Sequence, residues 1–144
     1  MNAPARRTLL LPGATGFVGR YVYEPLVEAG WTVRCATRNV AAAQERWPDR
    51  EWVRLDVADA DSVERAVERC DAALYLIHGM ASHAEDFRQA EIHQAETFSA
   101  SAARAGLKRI VYLGGVAAQA DPSEHLRSRE EVGEALRAGD VPTI

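Results

Sequence analysis

At 144 residues the chain is the size of one domain, long enough to bury a core and too short for a second unit of ordinary size. Hydrophobic residues make up 47% and charged residues 26%, the balance of a globular chain rather than a disordered or fibrous one. The net charge of −4 works against attraction to nucleic acid or anionic lipid, no run reaches the apolar length of a membrane span, and the first seven residues contain no apolar secretory segment. The sequence therefore predicts a cytoplasmic chain with no nucleic-acid or membrane partner.

Short apolar runs alternate with stretches of helical period, the pattern of repeated βα units around a parallel sheet. The first strand, Thr8–Leu11, runs into Pro12-Gly13-Ala14-Thr15-Gly16-Phe17-Val18-Gly19 and a helix over Phe17–Ala29 that contains Pro25, where a local bend is expected. Three glycines at GxxGxxG spacing between a strand and a helix point to a dinucleotide turn. The first permits a tight turn, the second lets backbone approach a pyrophosphate, and the third lets the helix pack closely on the strand. The free N–H groups and positive dipole end of that helix would then face the phosphates.

The second strand, Thr32–Thr37, ends at Arg38. An acidic side chain there would bond the ribose 2′-hydroxyl of NAD, whereas an arginine meets the 2′-phosphate of NADP, so Arg38 favours NADP over NAD. A solvated surface arginine is the alternative. A short helix, Val40–Arg46, leads to the third strand, Trp52–Leu55, and to Asp56-Val57-Ala58-Asp59. A carboxylate at this strand end can accept from an adenine amino group, cap the next helix or close an Asx turn.

The next helix is expected over Ser62–Arg69, with Asp61 and Ser62 supplying oxygens to its first turn. The fourth strand, Ala72–Ile77, precedes the loop Gly79–Ala84 and a long helix, Glu85–Ala105, whose Phe87, Ala95, Phe98, Ala102 and Ala105 form a core stripe opposite a solvated charged face. The fifth strand, Arg109–Leu113, precedes the loop Val116–Glu124 and a last helix, Ser128–Arg137. Both loops follow strand C-termini, where open α/β sheets bind ligands. Gly30, Gly106 and Gly139 follow helix ends, where a left-handed residue commonly closes the last turn.

Asp140–Ile144 reads as the beginning of a sixth strand. The expected fold is thus a doubly wound Rossmann-type parallel sheet truncated after the fifth strand and last helix, with residues 1–144 forming one C-terminally incomplete NAD(P)-binding domain. The fifth strand would then be an exposed apolar edge, a route to a homodimer. Cys35 and Cys70 match no ligand spacing and read as small, partly buried thiols in a reducing compartment. His78, His83, His93 and His125 form no metal-ligand pattern, so no metal is expected.

The glycine turn, Asp56-Val57, Tyr75-Leu76-Ile77-His78-Gly79-Met80, Arg109-Ile110-Val111-Tyr112-Leu113-Gly114-Gly115 and the stretch from His125 to Glu134 together resemble an atypical short-chain dehydrogenase/reductase. The nearest subgroup is the NmrA-like NAD(P)H-binding proteins, which also resemble a subunit of respiratory complex I. The resemblance implies that Gly13, Thr15, Gly16, Phe17, Val18 and Gly19 form the pyrophosphate turn, and that Arg38 meets the adenosine ribose. Asp56 and Val57 would meet the adenine, with His78 and Gly79 beside the nicotinamide ribose.

Active members of the wider family use a Tyr-x-x-x-Lys pair and a serine after the fifth strand; here those positions read His125, Arg129 and Gly115. Arg129 would serve only as a fixed charge, while His125 is either a general acid or a loop histidine beside a helix start. These departures point to an NADP(H)-binding protein with a regulatory or redox-sensing role, its small-molecule substrate or protein partner unidentified. The alternatives are an NADPH-dependent oxidoreductase on a carbonyl or alkene, with His125 and Arg129 as catalytic candidates, and an assembly subunit with a structural nucleotide.

Overall fold

Alternation inside the first strand sets the layering. The computed structural model describes residues 6–77, 84–114 and 124–144. In β1 (Thr8–Pro12), Leu9 and Leu11 point to one face of the sheet and Leu10 to the other, as the two-residue period of a strand dictates, and all three are buried. A strand flanked by helices on both sides needs apolar residues in both directions.

The remaining strands are β2 (Thr32–Thr37), β3 (Glu51–Arg54), β4 (Ala72–Tyr75) and β5 (Arg109–Tyr112), all parallel in the order β3-β2-β1-β4-β5. The helices are α1 (Phe17–Glu28), α2 (Val40–Arg46), α3 (Ala60–Val67), α4 (Ala84–Arg104) and α5 (Glu124–Ala138). Val18, Val22 and Leu26 recur every four residues on α1 and pack against Leu9, Leu11, Val33 and Cys35. On the opposite face, Val63 and Val67 of α3, Ala95, Phe98 and Ala102 of α4, and Val132 and Leu136 of α5 cover Leu10, Ala73, Tyr75 and Ile110. The result is the expected doubly wound Rossmann-type sheet. Its strand order reverses between β1 and β4, which puts a crevice at their C-terminal ends.

Several boundaries differ from the sequence-based expectation, each for a local reason. α3 begins at Ala60, because Asp59 is its cap: Asp61 N–H donates to Asp59 Oδ1 at 3.1 Å. Ser62 is a fully buried helical residue whose Oγ accepts from Asp56 N–H at 3.0 Å and lies 2.9 Å from the Asp56 carbonyl oxygen. α5 begins at Glu124 rather than Ser128, so position 125 belongs to a helix and not to a loop. β4 ends at Tyr75, two residues before the apolar run does. Gly30 and Gly106 have positive φ, but Gly139 does not; a Cβ at residue 139 would stand 1.9 Å from Ser99 Oγ, so a side chain there would have to displace the Ser99 hydroxyl on α4. The charged face of α4 is not wholly solvated, since Glu91 is buried.

The last residues correct the picture of a bare fifth strand. Ile110 N–H donates to the Pro142 carbonyl at 2.9 Å, Ile144 N–H to the Ile110 carbonyl at 3.0 Å and Tyr112 N–H to the Ile144 carbonyl at 2.9 Å. Thr143 forms a parallel bridge to Ile110, so the edge of β5 is already paired over that length. Both cysteines are buried free thiols.

Candidate functional site

At the C-terminal end of β1 the chain enters the glycine turn. Gly13 has φ +81°, and a Cβ there would stand 2.8 Å from the Leu76 carbonyl oxygen, so both the backbone and the neighbouring strand end exclude a side chain. Gly16 N–H donates to the Gly13 carbonyl at 3.1 Å, and Arg20 N–H makes the first helical bond, to the Gly16 carbonyl at 3.0 Å. The N–H groups of Phe17, Val18 and Gly19 therefore have no acceptor inside the helix. No side chain caps this end and the first turn contains no acidic residue. A Cβ at Gly19 would lie 2.4 Å from the Gly13 carbonyl oxygen, so its absence lets α1 press against the turn.

Above the turn opens a cleft of about 470 Å³. It is lined by Gly13, Thr15, Gly16, Phe17, Val18 and Gly19 of the turn, by Ala36, Thr37 and Arg38 at the end of β2, and by Leu55, Asp56 and Val57 after β3. Leu76 and Ile77 beyond β4 and Gln94 of α4 complete the wall. Every predicted cofactor residue among those described lines this one cleft; His78 and Gly79 lie outside the described residues. A backbone cradle that a Cβ would fill, exposed N–H donors and a cleft running toward two further strand ends fit a dinucleotide diphosphate.

Arg38 is exposed and has no ion-pair partner among the described residues. It contrasts with Arg34 on the same strand. Arg34 Nη1 lies 2.9 Å from the Ala66 carbonyl and 2.7 Å from the Glu68 carbonyl, and its Nε donates to Glu51 at 3.1 Å, so that guanidinium is consumed in closing α3. Asp56 does form an Asx turn, its Oδ1 accepting from Ala58 N–H at 2.9 Å, while Oδ2 lies 4.0 Å from Arg54. Phe17 is 70% exposed, its ring stands 5.0 Å from the Tyr21 ring, and its backbone N–H is one of those without a helical acceptor.

Sequence reasoning missed Leu76, Ile77 and Gln94. Leu76 and Ile77 read as strand because they are apolar, and nothing in their pattern marks where pairing stops. Gln94 sits beside the buried Ala95 without any motif of its own.

Of the catalytic candidates, positions 125 and 129 fall one turn apart on α5; the side chain of His125 and all of Gly115 lie outside the described residues. Burial and the charge of Glu91 push the Tyr112 phenol up to about 12, with Arg129 pulling the other way, so Tyr112 stays protonated at neutral pH. Burial likewise pushes the Cys35 and Cys70 thiols up to about 11, which removes them as thiolate nucleophiles. Among the described residues no three His, Cys, Asp or Glu side chains cluster as metal ligands, and no helix is long and apolar enough to cross a membrane.

The reversed sheet order and the cradle at its crevice define a dinucleotide-binding α/β protein. A family model described as NAD(P)H-binding matches residues 13–140, and the chain belongs to that family. Similar curated proteins are a ceramide reductase of Caulobacter vibrioides, 31% identical over all of this chain and 46% of its own length, and cinnamoyl-CoA reductase 1 of Arabidopsis thaliana, 24% identical over 81% of this chain and 36% of its own. Among solved structures, Citrobacter sp. triphenylmethane reductase complexed with NADP(H) superposes with a TM-score of 0.77 at 23% identity, covering 94% of this chain and 47% of that one. The chain spans less than half the length of each of these relatives.

Proposed function

We propose that this chain is the cofactor-holding part of an NADP(H)-dependent reductase that acts on a carbonyl or alkene. The observation that carries the reading is Arg38, uncommitted to any other group at the end of β2, on the rim of the cleft that the glycine turn opens. A guanidinium there offers charge-assisted bonds to a 2′-phosphate, and no acidic side chain follows β2 to favour a bare 2′-hydroxyl. The names of the relatives, reductases of a ceramide, a cinnamoyl thioester and a triphenylmethane dye, support the reaction class.

In this reading the N–H groups of Phe17, Val18 and Gly19 receive the diphosphate, Arg38 receives the 2′-phosphate, and Asp56 with Val57 borders the base. Leu76 and Ile77 exclude water from the wall next to Gly13. When bound, the nicotinamide supplies or accepts hydride. His78 and Gly79 would border the nicotinamide ribose, with His125 as proton donor and Arg129 as a fixed positive charge.

Titrating NADPH and NADH into the chain and into Arg38→Ala tests the cofactor assignment. The expected result is a loss of about 10- to 100-fold for NADPH and almost none for NADH, the span of hydrogen bonds to a charged group. Equal loss for both, or none, overturns the NADP preference. A second reading, a regulatory or redox-sensing NADP(H) holder without turnover, is favoured by the replacement of serine, tyrosine and lysine with Gly115, His125 and Arg129. Tight NADPH binding without consumption across carbonyl and alkene acceptors would select it.

A further inference from the structure

Besides Asp56, the cleft holds one polar side chain that belongs neither to the glycine turn nor to the β2 end. Gln94 lies one helical turn before Phe98, and Phe98 packs edge-on against Tyr75 at the end of β4, ring centroids 5.0 Å apart. α4 packs beside α3 on the face that also buries Leu55 and Val57. Residue 94 is therefore at the level of the strand C-termini, in the wall shared with Leu55, Val57, Leu76 and Ile77. Those four neighbours are aliphatic. Gln94 is itself half-buried, lines the cleft together with them and makes no hydrogen bond among the described residues.

With the diphosphate on the glycine turn and the ribose 2′ position at Arg38, the base lies beyond Arg38 toward Asp56 and Val57. There Asp56 Oδ1 already accepts from Ala58 N–H, and a carboxylate supplies acceptors but no donor for a ring nitrogen. An aliphatic slot suits the faces of a purine, and a carboxamide presents a donor and an acceptor side by side, which complements the amino group and N7 of adenine; a 6-oxopurine offers two acceptors on that edge, which neither orientation of the amide can match. We propose that Gln94 reads the adenine edge of the dinucleotide and so selects an adenine over a 6-oxopurine base. The inference rests on the cofactor reading above.

The test pairs two ligands with two variants. NADPH and its hypoxanthine analogue, in which a carbonyl replaces the amino group, are titrated into the unsubstituted chain, Gln94→Leu and Gln94→Glu, with unliganded melting curves recorded for all three. The chain is expected to prefer NADPH by about five- to tenfold, and Gln94→Leu is expected to abolish most of that preference at an unchanged melting temperature. Gln94→Glu, which keeps an acceptor and removes the donor, is expected to weaken NADPH in the same direction. A preference that survives both substitutions, or equal weakening of both ligands, overturns the role of Gln94 while leaving the cofactor reading intact. Failure of the unsubstituted chain to bind either dinucleotide overturns both.

Discussion

Arg69 follows the end of α3 with φ 65°, the one non-glycine residue at positive φ among those described. The left-handed conformation costs an L-residue about 1–2 kcal/mol, and helices commonly close on a glycine here instead. Arg69 is exposed and no described residue pairs with its guanidinium, so the side chain offers nothing to offset that cost. Arg69→Gly is therefore expected to stabilise the chain by about 0.5–1 kcal/mol, once the extra freedom glycine gives the unfolded state is subtracted. Urea denaturation measures it, and a lowered midpoint would count against the strain. The same reasoning separates the glycines of the turn. Gly13 is needed for its backbone and for its approach to Leu76, whereas at Gly19 the φ is ordinary and proximity to the Gly13 carbonyl and the Ala14 backbone forbids a side chain. Spacing alone identified all three, but the distances show which atoms each must avoid.

α3 shows how an element's ends are set by groups that a local pattern cannot rank. Asp56, Asp59 and Asp61 all offer carboxylates near its start, and the one that caps is Asp59. Desolvation acts upward on the pKa and is the largest single influence, but bonds from Arg54 and from the Ser62 and Asp61 backbones, with the Arg54 charge, together outweigh it and hold the carboxyl below its usual range. A lowered folded pKa means that the charge stabilises the fold above the ordinary carboxylate value of about 4, and that this contribution fades as pH falls through the lowered value. Asp59→Asn keeps an oxygen for Asp61 N–H and removes the charge. The variant should unfold at lower urea than the parent at pH 7, with the gap closing toward pH 3; a gap independent of pH would assign the effect to something other than the charge. At the other end, Arg34 closes the helix from a strand more than thirty residues earlier in sequence, with Nη1 on two terminal carbonyls. Nothing within α3 foretells this. The helical and strand periods made every element legible, because burial repeats along a chain. Where β4 stops, where α5 starts and which helix residue faces the cleft were not legible, because pairing and approach depend on partners distant in sequence. The glycine turn, Arg38 and Asp56-Val57 could be read since each stands at a strand end, while Gln94 sits within a helix and emerges only from how that helix packs.

At the scale of the whole sheet, the two flanks differ. β3 is an edge whose outer residues, Glu51 and Arg54, are charged, a common guard against further pairing. β5 carries a charge only at its first residue, Arg109, and further along Val111 is 36% exposed and Leu113, just past its end, 48%. What lies along it is the segment from Val141 to Ile144, with three backbone bonds to Ile110 and Tyr112 and the Val141 side chain buried in the same core as Ile110 and Leu136. Those contacts are worth more than their length suggests, since they satisfy backbone groups that would otherwise template a second chain. Removing residues 141–144 should cost about 2–5 kcal/mol, from one buried valine and three backbone bonds, and should make the chain associate at higher concentration as the edge of β5 becomes free. Sedimentation velocity across a concentration series, together with thermal melting, reads both effects. A shortened chain that melts as before and stays at its original mass would show that the edge is protected by the sheet's twist and its helices instead. Because the cofactor cleft is built at the ends of β1, β2, β3 and β4, on the far side of β4 from this edge, the folded fraction of the shortened chain should bind NADPH with the parent's affinity. A change in intrinsic affinity would mean that the β5 flank helps to shape the cleft.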